Sequence, residues 1–244
     1  MRHARMALRP RTSRQPAPDE LPARPVRRWR AGFWLRFVLL RMALVLVGSV
    51  GVYAVIDPPY SWTMHAAARQ QPLAPRGWTD LGDIAPVMAR SVVAAEDANF
   101  CRHWGFDMDE IRKVVASGSS RGASTLTQQT AKNAFLWQDR SWLRKSTEAV
   151  LTPLIEAMWS KRRILEVYLN LAEFGPGIFG IRAAAREHFG TTPDRLTPVQ
   201  AARLAAVLPA PARRSPHAAS ARSRAILDGA ATIARDGRAD CFDG

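Results

Sequence analysis

The sequence predicts an all-α domain carried behind one N-terminal apolar helix. Apolar residues recur at three- and four-residue spacing through most of 83–211, with helix-start signals ahead of each stretch. No apolar–polar alternation of useful length interrupts that pattern. A run from Phe37 to Ile56, 20 residues with Arg41 as its one charge, adds the apolar helix.

Residues 1–31 are rich in Arg, Pro and Ala and are expected to form a disordered basic arm. The anchor is assigned to 32–56, since roughly 20 apolar residues in a helix cross a bilayer core. Ten Arg against Asp19 and Glu20 in residues 1–36 put that end in the cytoplasm. Arg41 can snorkel to the headgroups. A cleaved signal peptide is the competing reading, but its apolar region should be about 7–15 residues. Ser49-Val-Gly51 is a weak cleavage match, so an uncleaved anchor is expected.

Residues 57–82, with Asp57-Pro58-Pro59, Pro72 and Pro75, read as a linker. A helix is expected from Asp83 and Pro86 to Asp97. Another runs from the Asp107/Glu110 pair to Gly118, followed by a flexible joint at 119–122. Thr125 and Gln128 cap a third through Trp137. Residues 142–170 are helical with a kink or break at Pro153; 178–189 and 198–208 complete the domain at 83–211. The tail, 212–244, has little large apolar content.

The formal charge of +14 is concentrated in the arm. Residues 57–244 hold 24 basic against 19 acidic side chains, which argues against a nucleic-acid binder. Arg outnumbers Lys 31 to 4, yet Lys132, Lys145 and Lys161 fall within one 30-residue stretch. Lysines kept in such a background point to places where a compact ammonium matters, with ordinary surface lysines as the bland alternative. Cys101 and Cys241 make neither a zinc site nor a disulfide framework, and are expected to be incidental thiols, with pairing in an oxidising compartment left open.

Four polar clusters stand out. Glu96-Asp97-Ala-Asn-Phe100-Cys-Arg-His103-Trp-Gly105 follows an apolar helix, so its first carboxylate is expected to be desolvated and suited to base work. His103 reads as structural. Gly122-Ala-Ser124-Thr125-Leu-Thr-Gln128-Gln129-Thr-Ala-Lys132-Asn133 sets hydroxyls at a helix start and a Lys one turn further in, an anion cradle. Arg144-Lys145-Ser-Thr-Glu148 and Lys161-Arg-Arg-Ile-Leu-Glu166-Val-Tyr168-Leu-Asn170 follow. Singly, each also reads as a helix cap, a surface ion pair or a solvated face.

In this order the four clusters resemble the motif series of family 51 glycosyltransferases, the peptidoglycan glycosyltransferases. A fifth stretch, Gly180 to Gly190, is similar to the family's last motif, with His188 where Tyr is usual. The resemblance covers roughly 78–211. Its single anchor and its lack of Ser-x-x-Lys, Ser-x-Asn and Lys-Thr-Gly look most like the monofunctional biosynthetic transglycosylases.

The resemblance implies a lysozyme-like, two-lobed all-α domain, with 106–121 mobile beside the cleft and Phe106 and Met108 suited to lipid. It implies that lipid II is polymerised into β-1,4-linked strands with inversion and release of undecaprenyl diphosphate. Glu96 matches the base. Glu148 matches the second glutamate, near the diphosphate or on a divalent metal; no other cofactor is called for. Lys132, Arg144 and Lys145 are the diphosphate partners. Ser124, Thr125, Gln128, Gln129 and Asn133 position substrate, Asp97 supports them, and Glu166 and Asn170 are architectural. Lipid II, the nascent strand and the bilayer are the implied partners, with division or cell-wall synthesis proteins as a further class and no nucleic acid. The implied place is the bacterial inner membrane, single-pass, with a periplasmic domain. Two rivals remain: a lysozyme-like glycan hydrolase, which needs no cation cluster because its leaving group is a sugar hydroxyl, and a non-enzymatic tethered scaffold of the division machinery.

Overall fold

A computed structural model of the chain describes residues 28–118, 122–139 and 141–243, with side chains from Gly32 onward. The basic arm expected over 1–31, apart from the backbone of 28–31, and the joint at 119–121 fall outside the described residues. Two compact units divide the chain, residues 1–44 and 45–244. Helix α1, Arg28–Tyr53, begins in the first and ends in the second. Its stretch Gly32–Tyr53 has 22 residues, with a window of mean hydropathy 2.0, long and apolar enough for a single membrane span. Within 32–44 the side chains of Phe33, Trp34, Leu35, Leu40, Met42 and Leu44 are exposed. The helix ends at Tyr53, and turn-like bonds such as Ile56 N to the Val52 carbonyl carry the chain to Asp57-Pro58, where a residue before proline avoids the α region.

In the second unit the order is α2 (Trp62–Ala68), α3 (Pro86–Glu96), α4 (Met108–Ser117), α5 (Leu126–Phe135), α6 (Trp142–Met158), α7 (Lys161–Leu171), strands β1 (Glu173–Gly175) and β2 (Ile178–Phe179), α8 (Ile181–Phe189), α9 (Pro198–Val207) and α10 (Ala221–Ile233). Helix α5 lies against α6 and α7, and α3 lies against α9 and α10. Phe100, Leu126, Leu151, Ile155, Leu165, Tyr168 and Phe174 are among the core side chains that unite them. The all-α expectation holds. Pro86 stands at the first turn of α3, and Thr125 with Gln128 forms a reciprocal capping box on α5.

Several local expectations need correction. Pro153 neither ends nor divides the 142–170 segment; α6 runs through it, and the break comes at Trp159–Ser160, where Ser160 caps α7. A short antiparallel hairpin, Glu173–Gly175 on Ile178–Phe179, takes residues expected to open a helix. Gly180 (φ 81°) then turns the chain into α8, and a Cβ there would meet the Asn170 carbonyl oxygen at 2.8 Å. The linker contains α2, capped by Ser61 and anchored by buried Met64. Residues 221–233 of the tail form α10, whose Ile226, Ala230 and Ile233 are buried against the core. Cys101 and Cys241 are joined in a disulfide across 140 residues, so they are not incidental thiols. The fold of α10 and the segment after it brings them together.

Candidate active site

Helix α3 turns Met88, Ala89, Val92 and Val93 into the core and stops at Glu96. Asp97 leaves helical geometry and turns to the start of α5. Its Oδ2 accepts from Leu126 N at 2.9 Å, and its Oδ1 lies 2.8 Å from His103 Nε2. A carboxylate on the first free N–H of a helix meets the positive end of the backbone dipole. Asp97 and His103 therefore fasten α3 to α5.

Glu96 is freed for another use. Its Oε2 accepts from Gln129 Nε2 at 3.0 Å, and its Oε1 lies 3.2 Å from Arg222 Nη2. The Tyr168 hydroxyl donates to Gln129 Oε1 at 3.2 Å, which turns the amide NH₂ of Gln129 towards Glu96. Burial pushes the Glu96 carboxyl above the usual glutamate value, opposed by the Gln129 bond and by the charges of Arg222, Lys132 and Arg214. Tyr168, fully buried and close to Glu96, is held well above its ordinary value.

A second carboxylate, Glu148 on α6, is 3% exposed and bears two cations. Arg144 Nη1 donates to its Oε2 at 2.8 Å and Lys145 Nζ to its Oε1 at 2.5 Å. Lys145 Nζ also reaches Ser124 Oγ at 3.5 Å, and Arg144 Nε donates to the Asp139 carbonyl. Lys132 feels the charge of both carboxylates. Burial lowers its pKa, while Glu148 and Glu96 oppose that and Arg144 and Lys145 add to it. Among the described residues its ammonium has no hydrogen-bond or ion-pair partner, which leaves it available to an anion.

Two adjoining hollows, of about 460 and 520 Å³, share Gln129 and Pro209 in their walls. The first is lined by Lys132, Asn133, Arg144, Tyr168 and Glu173, the second by Glu96, Gly122, Ser124 and Arg222. They place a base candidate and a cluster of cations along one cleft. Thr125 and Gln128 are buried and bonded to each other, with Thr125 Oγ1 also donating to the Gly105 carbonyl at 2.6 Å. The Thr125 hydroxyl and the Gln128 amide oxygen are thus both bonded within the protein. Glu166 accepts from Leu81 N and from Arg163, and Asn170 exchanges two bonds with the backbone of Thr79. A larger hollow, about 920 Å³ beside Arg76, Arg182, Arg186 and Arg195, holds none of the expected site residues.

The carboxylates at the two places where a divalent ion could be considered already carry protein partners. Both oxygens of Glu148 are engaged by cations, so an ion there would have to displace one. Asp97, His103 and Asp107 have ligand atoms within 4.8 Å of one another. All four carboxylate oxygens of that trio are already occupied, those of Asp107 by Glu110 N and Asn99 Nδ2.

Residues 65–231 match the family model described as transglycosylase. The chain belongs to the transglycosylase family. It is 51% identical over 242 residues to a biosynthetic peptidoglycan transglycosylase of Jannaschia sp. (strain CCS1), covering 97% of this chain and 99% of that protein. The protein of that name from Rhodospirillum centenum is 49% identical, covering 84% of this chain and 93% of the relative. One from Salmonella heidelberg is 47% identical, covering 77% and 84%. The chain is accordingly an enzyme of the glycosyltransferase class acting in peptidoglycan synthesis.

The family match runs beyond the stretch in which motifs are readable. Arg222, in the part read as a tail, touches Glu96 from α10. No spacing around it signals this, since its partner is 126 residues away. The role of Tyr168 behind Gln129 is equally silent in sequence. Lys161, singled out only as a rare lysine, bonds Glu156 Oε1 at 2.8 Å and the His103 carbonyl at 2.9 Å, over the Phe100 ring.

Proposed function

We propose that the cleft joins lipid II units, with Glu96 as the base and Lys132, Arg144 and Lys145 facing the diphosphate of the donor. The 4-hydroxyl oxygen of an acceptor sugar attacks the anomeric carbon of a chain on undecaprenyl diphosphate. A C–O bond forms as the bond to the phosphate oxygen breaks, the diphosphate departs with the electron pair, and the hydroxyl proton goes to Glu96. Attack opposite the leaving group turns an α linkage into a β one.

The observation that supports this reading is the pairing of a buried, proton-seeking carboxylate with an ammonium that has no hydrogen-bond or ion-pair partner among the described residues, in one cleft. A glycan hydrolase needs the carboxylate but not the cations. Glu148 serves as the counter-charge that holds Arg144 and Lys145 in place, and Ser124 and Asn133 line the path of the substrate. Asp97, Thr125 and Gln128 shape the start of α5 and act on substrate only through it. Gln129 aims Glu96. The anchor runs with its N-terminus in the cytoplasm, so the cleft opens on the outer face of the bacterial inner membrane, where other cell-wall synthesis or division proteins work.

The test is the full chain in detergent with labelled lipid II, with preformed glycan in a parallel reaction. Polymer from lipid II and no digestion of glycan are expected. Digestion without polymer would sink the transferase mechanism.

A further inference from the structure

The C-terminal segment folds back over the end of α3. Arg90 Nε bonds Asp243 Oδ2 at 2.5 Å, and a Cβ at Gly229 would meet Ala94 Cβ at 3.2 Å, so α10 and α3 are in close contact. Cys241 is bonded to Cys101, and the Phe242 ring packs on Phe100 with centroids 6.4 Å apart. The Phe242 carbonyl takes Arg162 Nη1 at 2.6 Å. Apart from the Arg162 bond, these contacts close on residues 90–101, the stretch that contains Glu96 and Asp97. Between them Arg222 reaches in from the first turn of α10. Its Nη2 donates to the Ala95 carbonyl at 3.1 Å and lies 3.2 Å from Glu96 Oε1.

We propose that Arg222 is a positioning residue for Glu96, fixed in place by a C-terminal segment that the Cys101–Cys241 bond clasps to the catalytic turn. This rests on the reading of Glu96 as the base. Glu96 is faced by Gln129 and Lys132 from α5, Tyr168 from α7, Arg214 from the segment after α9 and Arg222 from α10. Of the three cations, Arg222 is the one within hydrogen-bond distance among the described residues. With Gln129 on one oxygen and Arg222 on the other, the carboxylate plane is held from both sides. Arg222 also favours the ionised form, which a base requires before it can accept a proton.

Both contacts run through one nitrogen, so a lysine can reproduce them in kind. A glutamine keeps a donor but not the charge.

The experiment follows kcat and KM of the full chain on lipid II over a pH series, for wild type, Arg222→Gln, Arg222→Lys and Glu96→Gln, with thermal unfolding alongside. Arg222→Gln should lower kcat on the order of ten- to a hundredfold, the cost of a misplaced reacting group. Its acid limb should move to higher pH, because Glu96 without the neighbouring charge takes a proton sooner. Arg222→Lys should recover most of the rate and return the limb. A wild-type profile in Arg222→Gln would overturn the inference, as would a raised KM with the limb unmoved, which marks a direct substrate contact. An active Glu96→Gln would instead remove the base assignment itself. An inactive Glu96→Gln beside an unaffected Arg222→Gln would remove only the role of Arg222.

Discussion

Substituting Lys161 by Ala should cost far more stability than a surface lysine does. The ammonium sits among three partners, Glu156 Oε1 at 2.8 Å, the His103 carbonyl at 2.9 Å and the Phe100 ring with its centroid 4.4 Å away. The Glu156 side chain is 3% exposed and that of Lys161 15%, so the pair is shielded from solvent. Removing Lys161 leaves Glu156 buried with Thr127 Oγ1, at 2.6 Å, as its remaining donor among the described residues. Breaking a buried pair in this way costs about 3–5 kcal/mol. At about 2–4 °C per kcal/mol for a domain of this size, the apparent Tm should fall by roughly 6–20 °C. Thermal unfolding of detergent-solubilised protein at one scan rate reads it. The double change Lys161→Met with Glu156→Gln should lose less than Lys161→Ala alone, because no orphaned charge remains. A Tm within about 2 °C of wild type for Lys161→Ala, or a worse loss in the double variant, would refute the reasoning.

Lys132→Ala should abolish polymerisation with Tm preserved, while Lys113→Ala, in an exposed pair with Glu110 at 3.8 Å, should change neither; equal loss of activity in both would dismiss the lysine argument. Replacing Cys101 and Cys241 by Ser opens a loop of 140 residues and should destabilise by roughly 2–5 kcal/mol, read by unfolding under non-reducing conditions; no change in Tm would contradict the clasp. The acid limb of kcat/KM should lie above the 4.5 of an unperturbed glutamate, since burial raises Glu96 and a base must be ionised to act. A limb at or below that value would count against Glu96 as the group it reports.

Local signals carried most of the helical architecture. The Thr125–Gln128 and Thr197–Gln200 boxes announce a helix through bonds made within one turn and Pro86 through its fixed φ, so the neighbouring residues alone suffice to read them. The same locality holds at Thr125 and Gln128, which cap α5 through bonds to each other. What escaped depends on distance. Helix α10 packs through Ala230 and Gly229, small residues that permit close approach to α3 and look in sequence like the want of a core. The disulfide and the Arg222–Glu96 contact join residues more than a hundred positions apart, and nothing near either partner encodes the other. Pro153 does not break α6, since Leu151 before it and Ile155 after it both stay buried in the core.

The measurement that bears most directly on the account is polymerisation of labelled lipid II by Glu96→Gln beside wild type. Glutamine keeps the size of the side chain and an acceptor oxygen but cannot take the proton. The account predicts a folded protein with an unchanged thermal transition and a rate lower by on the order of a hundredfold or more. Polymer of ordinary length made at the wild-type rate would contradict it.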